Sequence, residues 1–233
     1  MARSGRPRGF DRDSALDSAM HLFWEHGYEG ASLAVLRHAM GDISSASFYA
    51  AFGSKEALYR ETLARYLDKH GGIVGALDDE TLSPRSRLEQ ALLASVAVQT
   101  DPAHPKGCML TLSAIVSSEA GAPTRDLTRA EREITRQALQ RCIAAGVRVG
   151  DLEPATDIAG LTALYDGLVL GISIQARDGV PADTLRAAIG HAMAAWDTQC
   201  RASSHPEAPP ATALTRGWSI DPRLRSTIRG DQP

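Results

Sequence analysis

Long uncharged apolar runs are missing from this 233-residue chain. No stretch matches the roughly 18–20 apolar residues of a membrane span, and no apolar run follows a basic start as in a secretory leader. The expectation is a cytoplasmic chain with no membrane partner. Aromatic residues make up only 5%, and there are only three cysteines, Cys108, Cys142 and Cys200. They lie far apart and form no CxxC pair, which argues for free thiols, most simply buried as small hydrophobes, over a disulfide framework. Surplus positive charge is also lacking: the net charge is −3. Any nucleic-acid contact must therefore rest on a local patch. The seven histidines show no HExxH or other metal-ligand spacing. There is no GxSxG elbow and no phosphate-cradling glycine loop, so no catalytic constellation, metal or cofactor is expected. His104, in "PAHPKG", reads as a loop residue.

What is present is helical periodicity. From Asp13 to His26, the residues Ala15, Leu16, Ala19, Met20, Phe23 and Trp24 fall on one face, with Asp11 and Asp13 suited to the start and Gly27 to the stop. A shorter helix is expected from Ser32 to Met40, with Ser32 as its cap. Ser54 caps a fourth helix that fades at Gly71-Gly72 or a little beyond. Ser83-Pro84 is a cap followed by a first-turn proline, opening a helix to about Thr100. Further helices are expected at about 108–118, 124–146, 156–177 and 182–199, and no strand alternation stands out. After Arg201 the sequence turns proline-rich and aperiodic, which reads as a disordered tail.

Between the second and fourth helices lies "AMGDISSASFYAAFGSKEAL", residues 39–58. From Ser44 to Ala51, everything except Phe48 and Tyr49 is Ser or Ala. So short and thin a helix cannot build much core. Two short helices joined by a glycine-containing turn make a helix-turn-helix, whose second helix needs a narrow, polar outer face to enter a major groove. Ser44, Ser45, Ala46 and Ser47 meet that need. Phe48 and Phe52 can anchor the inner face against Phe23, Trp24 and Leu36. Tyr49 can reach a phosphate, while Ser54 and Lys55 can grip another at the start of the fourth helix. An ordinary helical hairpin with a small-residue packing face would also accommodate the run.

Taken together, "FDRDSALDSAMHLFWEHGYEGASL" and residues 39–58 resemble the TetR family of bacterial transcriptional regulators, over about the first 65 residues. The family's aromatic-x-x-Phe-x-x-Lys segment reads here Tyr49, Phe52 and Lys55. The resemblance implies an all-α protein: an N-terminal three-helix helix-turn-helix domain plus a larger C-terminal helical ligand-sensing and dimerisation domain. It also implies a homodimer on double-stranded DNA, with a small-molecule effector that moves the two recognition helices out of register. One departure from the family pattern is Asp42, an extra residue between Gly41 and Ile43. Because the spacing from Ile43 to Lys55 is normal, the loop is expected to absorb it.

The division expected is a flexible basic arm at 1–10, a DNA-binding domain at 11–66, a sensor and dimerisation domain at 67–200, and the tail at 201–233. DNA contacts are expected from Ser32, Ser44, Ser45, Ala46, Ser47, Tyr49, Ser54 and Lys55. Arg3, Arg6 and Arg8 of the arm are either a minor-groove contact or a solvated tail. A pocket is expected around Met109, Leu112, Ser113, Val116, Ser117 and Tyr165, although a plain core explains the same residues. The last two helices, with Leu168, Ile172, Ile189, Met193 and Trp196, are expected to form a four-helix dimer seam, an internal core being the other explanation. The function so implied is a ligand-responsive repressor on a palindromic operator. The rivals are a DNA-binding scaffold of the same fold without an effector, and a helical ligand-binding protein that has lost its operator.

Overall fold

Asp11 begins the first helix by accepting hydrogen bonds from the amides of Asp13 and Ser14, which satisfies donors that no preceding turn can reach. In this computed structural model the described residues are 10–112 and 122–200. The arm with Arg3, Arg6 and Arg8, the pocket candidates Ser113, Val116 and Ser117, and the 201–233 tail lie outside them.

Ten helices occur among the described residues. Helix α1 (Arg12–Gly30) breaks its helical geometry at Gly27, where φ is 70°, then adds one more turn. Next come α2 (Leu33–Ala39), α3 (Ser45–Phe52) and α4 (Lys55–His70), capped by the hydroxyls of Ser32, Ser44 and Ser54 on the amides of Val35, Ser47 and Ala57. A short helix that the sequence did not announce, α5 (Ile73–Leu77), follows the glycine pair. The remainder are α6 (Pro84–Thr100), α7 (Met109–Leu112), α8 (Ala122–Val149), α9 (Ile158–Arg177) and α10 (Ala182–Cys200).

Two apolar cores result. The N-terminal core holds Phe23, Leu36, Ile43, Phe48, Phe52, Leu58 and Tyr59, together with Met109 and Leu110 of α7. Full burial of a ring such as Phe48 contributes on the order of 1.5–3 kcal/mol, so two anchors suffice to seat α3. The C-terminal core gathers Leu88, Leu92, Leu139, Ile143, Tyr165, Ile172, Ile189, Met193 and Trp196 from α6, α8, α9 and α10. The division expected at residue 66 falls inside α4, which runs unbroken to His70.

Burial also corrects the expected seam. Ile172, Ile189, Met193 and Trp196 are at most 1% exposed within the protomer's own core, so they have no surface to offer a partner. Leu168 is half-buried at the edge of that core. Helix α9 is apolar on two faces, and periodicity alone could not tell which one faces inward. Its outward face carries Leu164, 46% exposed, and Ile174, 44% exposed, with Gly167 between them.

Candidate nucleic-acid interface and ligand cavity

The turn from α2 to α3 is built by hydrogen bonds that take up the extra residue. The amides of Gly41 and Asp42 both donate to the carbonyl of His38, and that of Ile43 donates to Arg37. Gly41 has φ 89° and Asp42 φ 54°, so two successive left-handed residues fold the extra length back on itself. Asp is among the few non-glycine residues that tolerate this region. Ile43 lands buried in the N-terminal core. Arg37 Nε donates to its carbonyl at 2.8 Å, a brace that sequence reasoning missed. The Asp42 carboxylate lies 2.6 Å from His38 Nδ1, both side chains remaining largely exposed.

Helix α3 presents Ser45, Ala46, Ser47 and Tyr49 outward and buries Phe48 and Phe52. Its cap is tight: Ser44 Oγ accepts from the Ser47 amide and pairs with Ser47 Oγ, each at 3.0 Å. Tyr49 is 52% exposed, with its ring edge-on to Phe48. Ser32, Ser44 and Ser54 are exposed at the starts of α2, α3 and α4, where helix dipoles favour an anion. Lys55 lies with its ammonium 4.5 Å over the Tyr28 ring, and burial lowers its pKa from the ordinary lysine value. Phe10 and Phe23 complete the ring packing around this unit, against Phe52 and Tyr59 respectively. Trp24, expected behind α3, instead stacks on His104 and meets Tyr66 and His70 edge-on, and its indole N–H donates to the Gly107 carbonyl at 3.0 Å.

Helix α4 is fastened to α1 along its length. Arg65 binds both carboxylate oxygens of Asp17 at 2.5 and 2.8 Å, and Lys69 adds a contact at 2.7 Å. The Arg65 hydrogen bonds hold the Asp17 carboxyl well below the usual carboxylate range. Arg12 pairs with Glu61 at 2.6 Å.

The far end of α4 forms one wall of a cavity of about 150 Å³, the size that accommodates a benzene-sized ring. Tyr66, Leu67 and His70 contribute from α4, and Ser95, Val98 and Gln99 from α6. Arg132 and Thr135 line it from α8, Asp166 and Val169 from α9, and Cys108, Leu110 and Thr111 from the α7 region. Of the expected pocket residues described, Met109, Leu112 and Tyr165 do not line it. Met109 turns into the N-terminal core, Leu112 packs beside that core, and the Tyr165 hydroxyl donates to the Ala192 carbonyl at 3.3 Å. Tyr66 is buried, donates to Cys108 Sγ at 3.3 Å, and is pushed well above the usual phenol range by burial. Arg132 donates to the Leu110 carbonyl at 2.6 Å, while Asp166, 8% exposed, pairs with Arg136 at 3.0 Å.

Residues 15–62 match the family model for bacterial regulatory proteins of the tetR family, and residues 84–189 match the model for the tetracyclin repressor-like C-terminal domain. The HTH-type transcriptional repressor ComR of Escherichia coli K12 is 33% identical over 193 residues, spanning 82% of this chain and 91% of that one. The TetR family regulator CifR, solved as a cysteine mutant complexed with a 26 bp double-strand operator DNA, is 42% identical. It covers 82% of this chain and all of its own, with a TM-score of 0.76. BdcR, another E. coli K12 repressor, is 40% identical over 63 residues, which are 27% of this chain and 32% of BdcR. The helix-turn-helix, the helical domain behind it and these relatives give one conclusion: the chain is a DNA-binding transcriptional regulator and belongs to the TetR family.

Proposed function

We propose that this regulator represses transcription in the cytoplasm by binding a palindromic operator as a homodimer, and that it releases DNA when a small molecule occupies the cavity. One observation carries the reading: α4 is continuous, opening at Ser54 and Lys55 directly after α3 and reaching the cavity wall with Tyr66, Leu67 and His70. A rigid helix pinned to α1 by Asp17 cannot shift at one end without moving the other. A ligand with different affinity for two placements of α4 would therefore bias α3 as well. Ser45 and Ser47 face the bases in this reading, and Tyr49, Lys55 and the capping serines the phosphates. The exposed residues Leu164 and Ile174 of α9, with Leu168 at the edge of the core, and the exposed small residues Ala187, Gly190 and Ala194 of α10 supply the two-fold surface in this reading. ComR is named a repressor and CifR was solved on operator DNA, which supports both the sign of regulation and the partner.

Selection of bound duplexes from a random pool tests the reading. A two-fold consensus with half-sites about 34–36 Å apart, or a multiple of that, is expected. A consensus without two-fold symmetry would overturn the homodimer.

A further inference from the structure

We propose that Arg37 is a positioning residue for operator reading: it clamps the turn that carries the extra Asp42, and so fixes which side chains of α3 meet the bases. The inference rests on the reading of α3 as the groove helix and adds the device that orients it. Arg37 grips both backbone polar groups of Ile43. The Ile43 amide donates to the Arg37 carbonyl at 3.2 Å, and Arg37 Nε donates to the Ile43 carbonyl at 2.8 Å. Ile43 is buried in the N-terminal core and directly precedes Ser44, the cap of α3, so the grip falls where the reading helix begins. Arg37 itself is half-buried, and a bond from an ionised donor is stronger than one between neutral groups. The neighbouring contact of Asp42 with the His38 ring lies in water and holds the turn far less.

The extra residue is what makes a clamp necessary. Gly41 and Asp42 both take left-handed backbone, with φ 89° and 54°. Asp tolerates that region but does not prefer it, so an unclamped turn would have another conformation open to it. Any change at Asp42 is passed to Ile43 and from there to the start of α3. Phe48 and Phe52, buried on the inner face, prevent a slip by a whole residue, which would turn the helix by about 100°. The freedom that Arg37 removes is smaller but still decisive, because a recognition group must stay within about 0.5 Å and 10–20° of its working geometry. Ser45 and Ser47 follow Ile43 within the first turn of α3 and are the first base-facing side chains to feel the clamp.

The probes are a duplex carrying the consensus selected by the native protein and a duplex of the same composition with both half-sites scrambled. Arg37→Met keeps the apolar stem of the side chain and removes the donor. It should weaken binding of the full chain to the consensus duplex about tenfold and leave the scrambled duplex within about twofold, with an unchanged salt slope. Arg37→Lys, which restores a cationic donor, should recover part of the loss. Deleting Asp42 removes the need for the clamp, so in that background Arg37→Met should cost less than about twofold. Equal losses on both duplexes, with the salt slope flattened by about 0.9 for each phosphate lost, would make Arg37 a phosphate contact and overturn the proposal. The same tenfold loss with and without Asp42 would also overturn it. If the shortened chains do not fold by circular dichroism, the contrast between the two duplexes in Arg37→Met decides alone. A consensus that Ser45→Ala/Ser47→Ala leaves unaltered would fault the reading helix rather than the clamp.

Discussion

Asp42 carries a carboxylate on the turn that leads into the reading helix, its contact with the His38 ring lying in water. Exposed pairs of this kind contribute about 0–1 kcal/mol, so Asp42→Asn should leave stability nearly unchanged. Asn also tolerates the left-handed backbone that the turn requires. With one negative charge removed near the phosphates, operator affinity should rise about two- to fivefold at low salt, and the gain should fade as salt screens it. Gel-shift titrations at two ionic strengths, beside urea denaturation, check both halves. Gly146 gives a stability prediction of the opposite kind. A methyl added there would sit 2.7 Å from two ring atoms of Trp196 and 3.1 Å from Leu152 Cδ1, and that indole is fully buried. Replacing a mid-helix glycine by alanine ordinarily stabilises by about 1 kcal/mol. The overlap costs about 1–3 kcal/mol and should win, so Gly146→Ala lowers the urea midpoint. A raised midpoint would mean that the indole yields easily. The sequence shows Gly146 as a helix residue, but its indole neighbour lies fifty positions away and only the fold brings them together.

The ring cluster at the junction of α1, α4 and the loop before α7 should make stability depend on pH. Burial holds His21 and His70 below the ordinary imidazole range, and neighbouring His104 and Lys69 push the same way, against Asp17 at His21 and Asp101 at His70. The unfolded chain takes up these protons more readily than the folded one. Their contribution is therefore intact above the unfolded value near 6.5 and declines as the pH falls from there through the folded values. The urea midpoint should drop between pH 7.5 and 5.5, and drop less in His21→Asn/His70→Asn. An equal drop in that variant would assign the dependence to other groups. Much of the element plan was legible beforehand because caps are local chemistry: Asp11, Ser32, Ser54 and Ser83-Pro84 each start a helix in the fold. Helix α5 was not legible, since five residues behind two glycines carry no measurable period. The small-residue face of α3 was readable because Phe48 and Phe52 mark its inner side. The cavity was not, because it draws a few residues each from helices far apart in sequence. Arg132 and Gln99 acquire meaning only once α6 and α8 stand side by side.

Across the whole molecule, the proposed two-fold surface lies on the exposed side of α9 and α10, not on the buried sides that hold Ile172, Ile189, Met193 and Trp196. Leu164→Asp with Ile174→Asp should leave the fold intact, since both side chains are nearly half exposed, and should yield a monomer in sedimentation. Operator affinity should fall more than about a hundredfold, because one recognition helix spans too few base pairs to hold a specific site. Ile189→Asp, a charge placed in the core, should instead unfold the chain by circular dichroism. A folded dimer from the double variant would put the interface elsewhere. The central claim, that the outward face of α3 reads the operator bases, is tested most directly by selecting duplexes with the native protein and with Ser45→Ala/Ser47→Ala in parallel. The account predicts two-fold consensus sites from both, with base preferences altered within the half-sites where those hydroxyls lie. An identical consensus from a folded double variant would contradict it.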